Sequence, residues 1–232
     1  MRVTAFLTIL LFCLSARAQE SRGAPVTLKR LSIEYHVSEA GVATSVWHQE
    51  MVAHNDAAAR EIAQHPIRYS DGLHTVEILE AKTVKASGKE IPVDLKAILP
   101  QLVPGRPNVP MFNDHRQMVV IFPDVAAGDT LFLRYRRIGK VPFFPGEFMT
   151  SSVYGPSMTI NEAVVSVDAP KAMQLISQEE GVQVDKRISG DRAIFTWRYS
   201  RPTPAKLDEG VLAASDRMPR FFVSEPVWNW RD

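Results

Sequence analysis

Cysteine is almost absent from this sequence: Cys13 is the only one in 232 residues. A single thiol cannot form an intramolecular disulfide, so the core must be stabilised by apolar packing. Charge of one sign is lacking as well, because 27 basic side chains stand against 26 acidic ones. This balance gives no electrostatic reason to expect nucleic acid as a partner.

Long hydrophobic runs are also missing, apart from one near the N-terminus. The uncharged residues 3–14 are too few to cross a bilayer as a helix, which needs about 20 residues. A basic residue precedes them, and the small residues Ala16 and Ala18 follow. This order is typical of a secretory signal peptide. We therefore predict that residues 1–18 are a signal peptide cleaved between Ala18 and Gln19, and that the protein is periplasmic or secreted rather than an integral membrane protein.

Motifs that indicate catalysis or metal binding are lacking. Neither G-x-S-x-G nor H-E-x-x-H occurs. The six histidines are scattered over separate predicted elements, and we interpret His36 and His74 as solvated side chains on polar strand faces. We predict no catalytic residue, no metal site and no cofactor. An unrecognised Asp, Glu or His site of a hydrolase or transferase is the alternative.

What the sequence has in abundance is alternation of apolar and polar residues. Within residues 26–37, Leu31, Ile33 and Tyr35 share one face of a strand, and polar side chains share the other. Many similar segments follow, separated by glycine, proline and aspartate. The sequence predicts an all-β fold, a two-sheet antiparallel β-sandwich over residues 19–200.

One short helix interrupts this pattern. Asn55 and Asp56 are suitable capping residues, a run of alanines follows, and Pro66 is expected to stop the helix. We predict the helix over residues 56–64. The proline-rich residues 100–115 predict a long irregular loop.

The basic segment of residues 134–140 divides between two faces. On a strand Arg134 and Arg136 share one face and Arg137 lies on the other. No aromatic stacking platform accompanies them, so a solvated strand is favoured over a nucleic-acid site.

Aromatic side chains cluster in a loop rich in proline and glycine. Phe143, Phe144, Phe148 and Tyr154 lie there between two predicted strands. The loop either plugs one end of the sandwich or docks a partner. Burial is the usual outcome for large apolar groups, so we favour the plug and keep Phe144 and Phe148 as candidate interaction residues.

The alternation ends before residues 201–232, which we interpret as a C-terminal extension or the start of a linker to a missing core. Phe221 and Val223 alternate as a final strand would. Trp228 and Trp230 follow and are candidate interaction residues. Either a partner surface covers these two indoles, or they fold back on the domain itself.

Several short motifs occur in an order that resembles a known family. Residues 85–89 read KASGK, residues 122–125 read FPDV, Gly128 and Asp129 follow, and residues 145–148 read PGEF. Together they resemble the β-rich N-terminal domain of bacterial exported transglutaminase-like proteins. Physically, a Gly-Asp pair is a tight turn, so these residues look like determinants of the fold rather than a site.

The resemblance implies a sandwich domain of unknown function placed before a papain-like transglutaminase core. No position of this sequence matches the Cys-His-Asp triad of that core, so no catalytic residue is carried over. The resemblance implies a non-catalytic, exported module for interaction with protein or glycan, either a stand-alone relative or the front of a longer polypeptide. Its partner would be a transglutaminase-like catalytic domain or another envelope protein.

The first testable prediction concerns export. We expect the exported protein to begin at Gln19, because the Ala16-x-Ala18 pattern follows the apolar run directly. Intact-mass measurement of the protein recovered from outside the cytoplasm checks this. A mass that retains residues 1–18 would contradict the prediction of a cleaved signal.

Overall fold

The computed structural model describes residues 24–103, 114–156, 158–204 and 218–226. Within them the helical segments are α1 at Asp56–Ile62 and two 3₁₀ turns at Leu95–Ala97 and Lys171–Met173. The strands are β1 Val26–Val37, β2 Ala43–Ala53, β3 Gln64–Ser70, β4 His74–Val84, β5 Glu90–Pro92, β6 Ile98–Leu102, β7 His115–Ile121, β8 Thr130–Gly139, β9 Met149–Val153, β10 Thr159–Pro170, β11 Ile176–Glu180, β12 Gln183–Ser189, β13 Arg192–Arg201 and β14 Arg220–Ser224.

The strands form one wide sheet and two narrow ones. The wide sheet has eight strands in the order β12-β13-β10-β1-β2-β8-β4-β5. Its neighbouring strands are antiparallel except β1 and β10, which run parallel. The narrow sheets have the orders β11-β14-β9 and β3-β7-β6. The predicted all-β, mainly antiparallel fold with one short helix is confirmed.

One face of the wide sheet is apolar. Across five neighbouring strands, Tyr135 pairs with Trp47, Trp47 with Ile33, Ile33 with Val165, and Val165 with Trp197. Residues paired across neighbouring strands point to the same side of a sheet, so these five side chains form a continuous row. Four of them are buried, and Trp47 is partly buried and stacks on Tyr135 with 5.5 Å between ring centroids.

The two narrow sheets cover this same face side by side. From β14, Phe221 stacks on Trp197 with the ring centroids 4.1 Å apart. From β3 and β7, Ile67 and Val120 pack in a second cluster with Leu133. Trp47 packs against both clusters, so it lies where the two coverings meet. The molecule is therefore a sandwich whose second layer is divided in two.

Residues expected to lie beyond the sandwich contribute to its core. The strand β14 begins at Arg220, past residue 200, and its Phe221 and Val223 are almost fully buried. Their alternation predicted this strand correctly. The packed sheets thus continue to Ser224.

The end of the helix and the positions of two prolines differ slightly from the prediction. Asn55 caps α1, because its side chain accepts a hydrogen bond of 2.9 Å from the Ala58 amide. The helix ends at Ile62 rather than residue 64, since β3 already begins at Gln64. Pro66 lies within β3 and Pro100 within β6, both edge strands, where a missing backbone donor costs no ladder hydrogen bond. No helix in the described ranges is both long and apolar enough to cross a membrane.

The KASGK and FPDV motifs are joined in the structure by one buried carboxylate. Asp129 is 2% exposed and accepts three hydrogen bonds: 2.7 Å from Lys85 Nζ, 2.8 Å from the Ala126 amide and 3.0 Å from the Ala86 amide. Gly128 before it has φ of +87°, which favours glycine. Asp129 thus fastens the KASGK turn to the turn that follows FPDV, as expected of a fold determinant.

We expect Asp129→Asn to lower the free energy of unfolding by roughly 2 to 4 kcal/mol at neutral pH. An amide cannot accept all three hydrogen bonds, and it leaves the Lys85 ammonium without this partner. Asp124→Asn is the matched control, because the Asp124 carboxylate also lies near Lys85, at 3.3 Å, but is 74% exposed. Equal losses in the two variants, measured by denaturant unfolding, would contradict the assigned role.

Acid should remove the same stabilisation from the unmodified protein. Burial favours the neutral acid, but the hydrogen bonds from Lys85, Ala126 and Ala86 outweigh it and hold the pKa of Asp129 below its ordinary 3.8. The contribution is therefore complete above the ordinary value and is lost as the pH falls through the folded-state value. The difference in melting temperature between the protein and Asp129→Asn should therefore narrow as the pH falls below 3.8.

Candidate functional site

A cleft of about 380 Å³ opens on the apolar side of the wide sheet, where the two narrow coverings separate. Thr150 of β9 borders it on one side, and Leu73 and His74, at the start of β4, border it on the other. Its floor is the inner face of β1, β2 and β8. The polar side chains that line it include those of Tyr35, Ser45, His74, Arg137, Glu147 and Thr150.

Arg137 is the charged group on the floor of the cleft. It pairs with Ser45 and Val76 in the neighbouring strands, so it points inwards, away from the exposed face that carries Arg136. Its Cζ lies 4.7 Å from the Trp47 ring centroid, and its Nη2 donates a 2.8 Å hydrogen bond to the Arg68 carbonyl. Its Nε is buried and has no hydrogen-bond partner among the described residues. The alternation of the sequence placed Arg137 on the opposite face from Arg134 and Arg136, but it did not predict these contacts.

Hydroxyl groups line the same cleft. Thr150 Oγ1 donates to Tyr35 Oη at 3.2 Å, and the Trp47 indole donates to Ser45 Oγ at 2.9 Å. Burial raises the pKa of Tyr35, which keeps its hydroxyl protonated. Burial also raises the pKa of Tyr135, whose ring lies below Arg137. These hydroxyls are therefore neutral hydrogen-bonding groups.

His74 lies at the cleft rather than on a polar face. Its partner in β8 is Gly139, in register with the inward-facing Val76 and Arg137 two residues further on. Burial lowers the pKa of His74, and the positive charges of Arg137 and Lys140 lower it further. The imidazole is therefore neutral at pH 7. The interpretation of His36 as a solvated side chain agrees with the structure. Its side chain is exposed, and its Nδ1 lies 3.2 Å from the Asp168 carboxylate.

The aromatic loop both plugs the sandwich and exposes aromatic surface. Phe148 is 5% exposed and packs edge-on against Tyr35, with ring centroids 6.0 Å apart. Phe143 and Phe144 are 65% and 49% exposed, and their ring centroids lie 4.7 Å apart. Gly41 lets the loop approach closely, since a Cβ there would lie 2.6 Å from the Glu147 carbonyl oxygen.

A second surface lies on the outer side of the sheet β11-β14-β9. Here β14 pairs with both neighbours, and its inward residues Phe221 and Val223 alternate with Phe222, which points outwards. We call this surface the small-sheet face. Its large apolar side chains are between 36% and 56% exposed: Met149, Val153, Ile176 and Phe222.

Four of the residues singled out in the sequence lie outside the described residues. These are Ala18 and Gln19, at the expected cleavage site, and Trp228 and Trp230, at the C-terminus. The cleavage and the destination of the two tryptophans stay predictions.

Fold and site together define a two-layer all-β domain with a cleft at the seam of its second layer. Residues 40–206 match a family described as a "Domain of Unknown Function with solved-structure structure", DUF3857. The chain belongs to this family. The further link to a transglutaminase-like core stays a prediction.

The fold occurs in a solved structure. A "putative protease" from Parabacteroides distasonis superposes with a TM-score of 0.77 at 16% identity, over 88% of this chain and 41% of that one. An M1 zinc metallopeptidase from Deinococcus radiodurans gives a TM-score of 0.41 at 11% identity, over 88% of this chain and 43% of that one. The chain thus spans less than half the length of these structures. The similarity to the Parabacteroides distasonis structure shows the fold alone. Among curated proteins, no sequence matches it.

Two phenylalanines of the aromatic loop provide a matched pair of variants. We expect Phe148→Ala to lower the free energy of unfolding by about 3 to 4 kcal/mol, because it leaves a cavity in the core. Phe144→Ala should change it by less than about 1 kcal/mol, because the ring is half exposed. Denaturant unfolding measures both. A similar loss in both variants would mean that Phe144 is part of the plug.

Proposed function

We propose that this chain is a non-catalytic, exported interaction module that docks a protein partner through the small-sheet face. The observation that carries the proposal is the exposure of Met149, Val153, Ile176 and Phe222 on one side of a three-stranded sheet. Several large apolar side chains on one exposed sheet face are typical of contact with another macromolecule, even where small polar residues such as Ser151 and Ser224 lie between them.

The composition of this face favours protein over glycan. Three of its four large apolar side chains are aliphatic or thioether groups, which pack well in protein interfaces but offer no flat ring for a sugar to stack on. Arg220 and Glu180 form an ion pair of 2.9 Å beside them. An apolar centre with charged groups at its border is the usual anatomy of a protein interface.

The partner we propose is a transglutaminase-like catalytic domain, with another envelope protein as the alternative. The order of the KASGK, FPDV, GD and PGEF motifs supports the first choice. The small-sheet face lies on β14, the last strand before residues 227–232. A partner encoded after this domain in a longer polypeptide would therefore start close to the face.

The cleft does not favour the alternative of a hydrolase or transferase. Acid–base or nucleophilic catalysis needs a titratable group whose pKa is near the working pH and whose reach includes a reacting atom. Here burial raises the pKa of Tyr35 further from neutrality, and among the described residues no hydrogen bond orients the His74 imidazole towards a nucleophile. The carboxylate among the lining residues is Glu147, at the rim of the cleft. Burial raises the pKa of the nearby Glu225, and the negative charge of Glu147 raises it further.

Site-specific photo-crosslinking in the exporting cell tests the docking surface. A benzophenone amino acid at Phe222 is a conservative replacement, and we expect it to form an adduct with one polypeptide. The same amino acid at Arg198 is the control, because Arg198 is exposed on the polar side of the wide sheet. Adding Ile176→Ser should reduce the Phe222 adduct several-fold, since it removes a neighbouring apolar contact.

Mass spectrometry of the adduct then identifies the partner. A transglutaminase-like chain supports the proposal in full, and another envelope protein replaces the partner but keeps the surface. A second copy of this chain would replace docking by self-association. No adduct at Phe222, or equal adducts at Phe222 and Arg198, would overturn the docking surface.

A further inference from the structure

Arg137 differs from its neighbours Arg136 and Lys140 in the groups that surround it. On the exposed side Arg136 pairs with Glu77 at 3.2 Å, and at the sheet end Lys140 pairs with Asp71 at 3.2 Å. Among the described residues, the Arg137 guanidinium contacts the Arg68 carbonyl oxygen, the Tyr135 hydroxyl and the Trp47 ring, but no carboxylate lies within ion-pair distance. A partly buried cation without an opposite charge is costly.

Its hydrogen-bonding capacity is also incompletely used. A guanidinium has five N–H donors in a planar fork. Nη2 donates to the Arg68 carbonyl, but Nε is buried and unpartnered. A buried donor left without an acceptor destabilises the folded protein, so an acceptor placed against the cleft-facing side of the guanidinium offsets part of this cost.

We propose that the cleft binds the carboxylate group of a ligand, with Arg137 as its charge partner. The planar fork of arginine matches the two oxygens of a carboxylate, which gives both charge pairing and fixed geometry. The hydroxyl groups of Tyr35 and Thr150, which line the cleft, supply neutral hydrogen bonds near the same place.

The charges that face Arg137 favour a single negative charge on the ligand. Lys140 is already paired with Asp71, and burial with nearby positive charge lowers the pKa of His74, so neither supplies a free cation at pH 7. Glu147 at the rim adds a negative charge. One guanidinium therefore matches a carboxylate, whereas a phosphate dianion would be undercompensated.

The wall of the cleft selects what the carboxylate is attached to. Val141 and Phe143 line the opening and are 50% and 65% exposed. A ligand with an apolar or flat group beside its carboxylate covers these side chains as it binds. The C-terminal residue of a peptide and a uronic acid sugar both offer this chemistry.

The proposal does not rest on the small-sheet face. Met149 of the small-sheet face also lines the cleft, but Phe222 and Ile176, the two positions changed in the docking test, do not. Loss of docking at Phe222 therefore leaves the carboxylate site to be tested separately, and the reverse also holds.

Nuclear magnetic resonance titration of the exported domain, residues 19–232, tests the site directly. The probes are N-acetyl-phenylalanine and its C-terminal amide, and glucuronate and glucose. We expect one or both carboxylates to shift the Arg137 Nε–H resonance and the neutral counterparts to leave it unchanged. The carboxylate that binds more tightly identifies the source as peptide or sugar. Inorganic phosphate should bind more weakly than the better carboxylate.

Matched variants separate the site from the surface charge. Arg137→Met should weaken carboxylate binding by about tenfold or more, because it removes the charge-assisted hydrogen bonds. Arg137→Lys keeps the charge without the fork and should give an intermediate loss. Arg136→Met, one residue away on the exposed face, should leave the affinity unchanged.

Several results would overturn the proposal. These are equal shifts with the carboxylate and its amide, tighter binding of phosphate, or an unchanged affinity in Arg137→Met. The comparison of acid with amide uses the unmodified protein, so it decides the question even where Arg137→Met fails to fold.

Discussion

The constraint on which this structure depends is the width of its apolar row. Eight strands expose one continuous inner face, and the row from Tyr135 to Trp197 crosses five of them. One three-stranded sheet is too narrow to cover such a face, so two of them share the task. Trp47 packs against the clusters beneath both, and a seam opens at the end of the face beside it. The cleft lies beside this junction, between β9 and the turn that joins β3 to β4.

Two charged side chains at the edges of this core, Asp129 and Arg137, differ in how fully their hydrogen bonds are satisfied. Asp129 is almost fully enclosed, but a lysine and two backbone amides satisfy its carboxylate. Its hydrogen bonds hold two turns together, and all of its partners belong to the fold itself. Arg137 is less enclosed, yet its guanidinium keeps an unpartnered donor. The first arrangement stabilises the domain, and the second leaves a binding capacity directed into the cleft.

Sequence alternation predicted the fold class and much of the core, since the inward side chains of β1 and β14 recur at every second residue. It was less informative in β4, where the apolar period is blurred. The register shifts there between Ile78 and Glu80, so Ala81 and Thr83 follow Ile78 on the inner face. A bulge of one residue reverses the side on which all later side chains lie. Local periodicity cannot indicate such a shift, because the pairing strand determines it.

The cleft was beyond sequence reasoning for a related reason. Arg137, Tyr35 and Thr150 are separated by up to 115 residues and come together only because the sheet β11-β14-β9 packs on the wide sheet. The alternation placed Arg137 opposite Arg136, but whether that side faced solvent or a seam depended on distant strands. Likewise, the position of His74 follows from its register with Gly139.

Most residues of the family motifs lie away from the proposed functional residues, although Glu147 and Phe148 of the PGEF motif also line the cleft. Lys85, Gly128, Asp129 and Phe148 belong to the motifs, and each holds a turn or fills the core. Arg137 and Phe222 lie outside the motifs, one at the seam and the other on the small-sheet face. Sequence similarity therefore identifies the scaffold, because the scaffold is what these motifs build. Function in such a domain depends on the side chains that the scaffold leaves without partners, and these differ in charge and shape from the groups that hold the fold together.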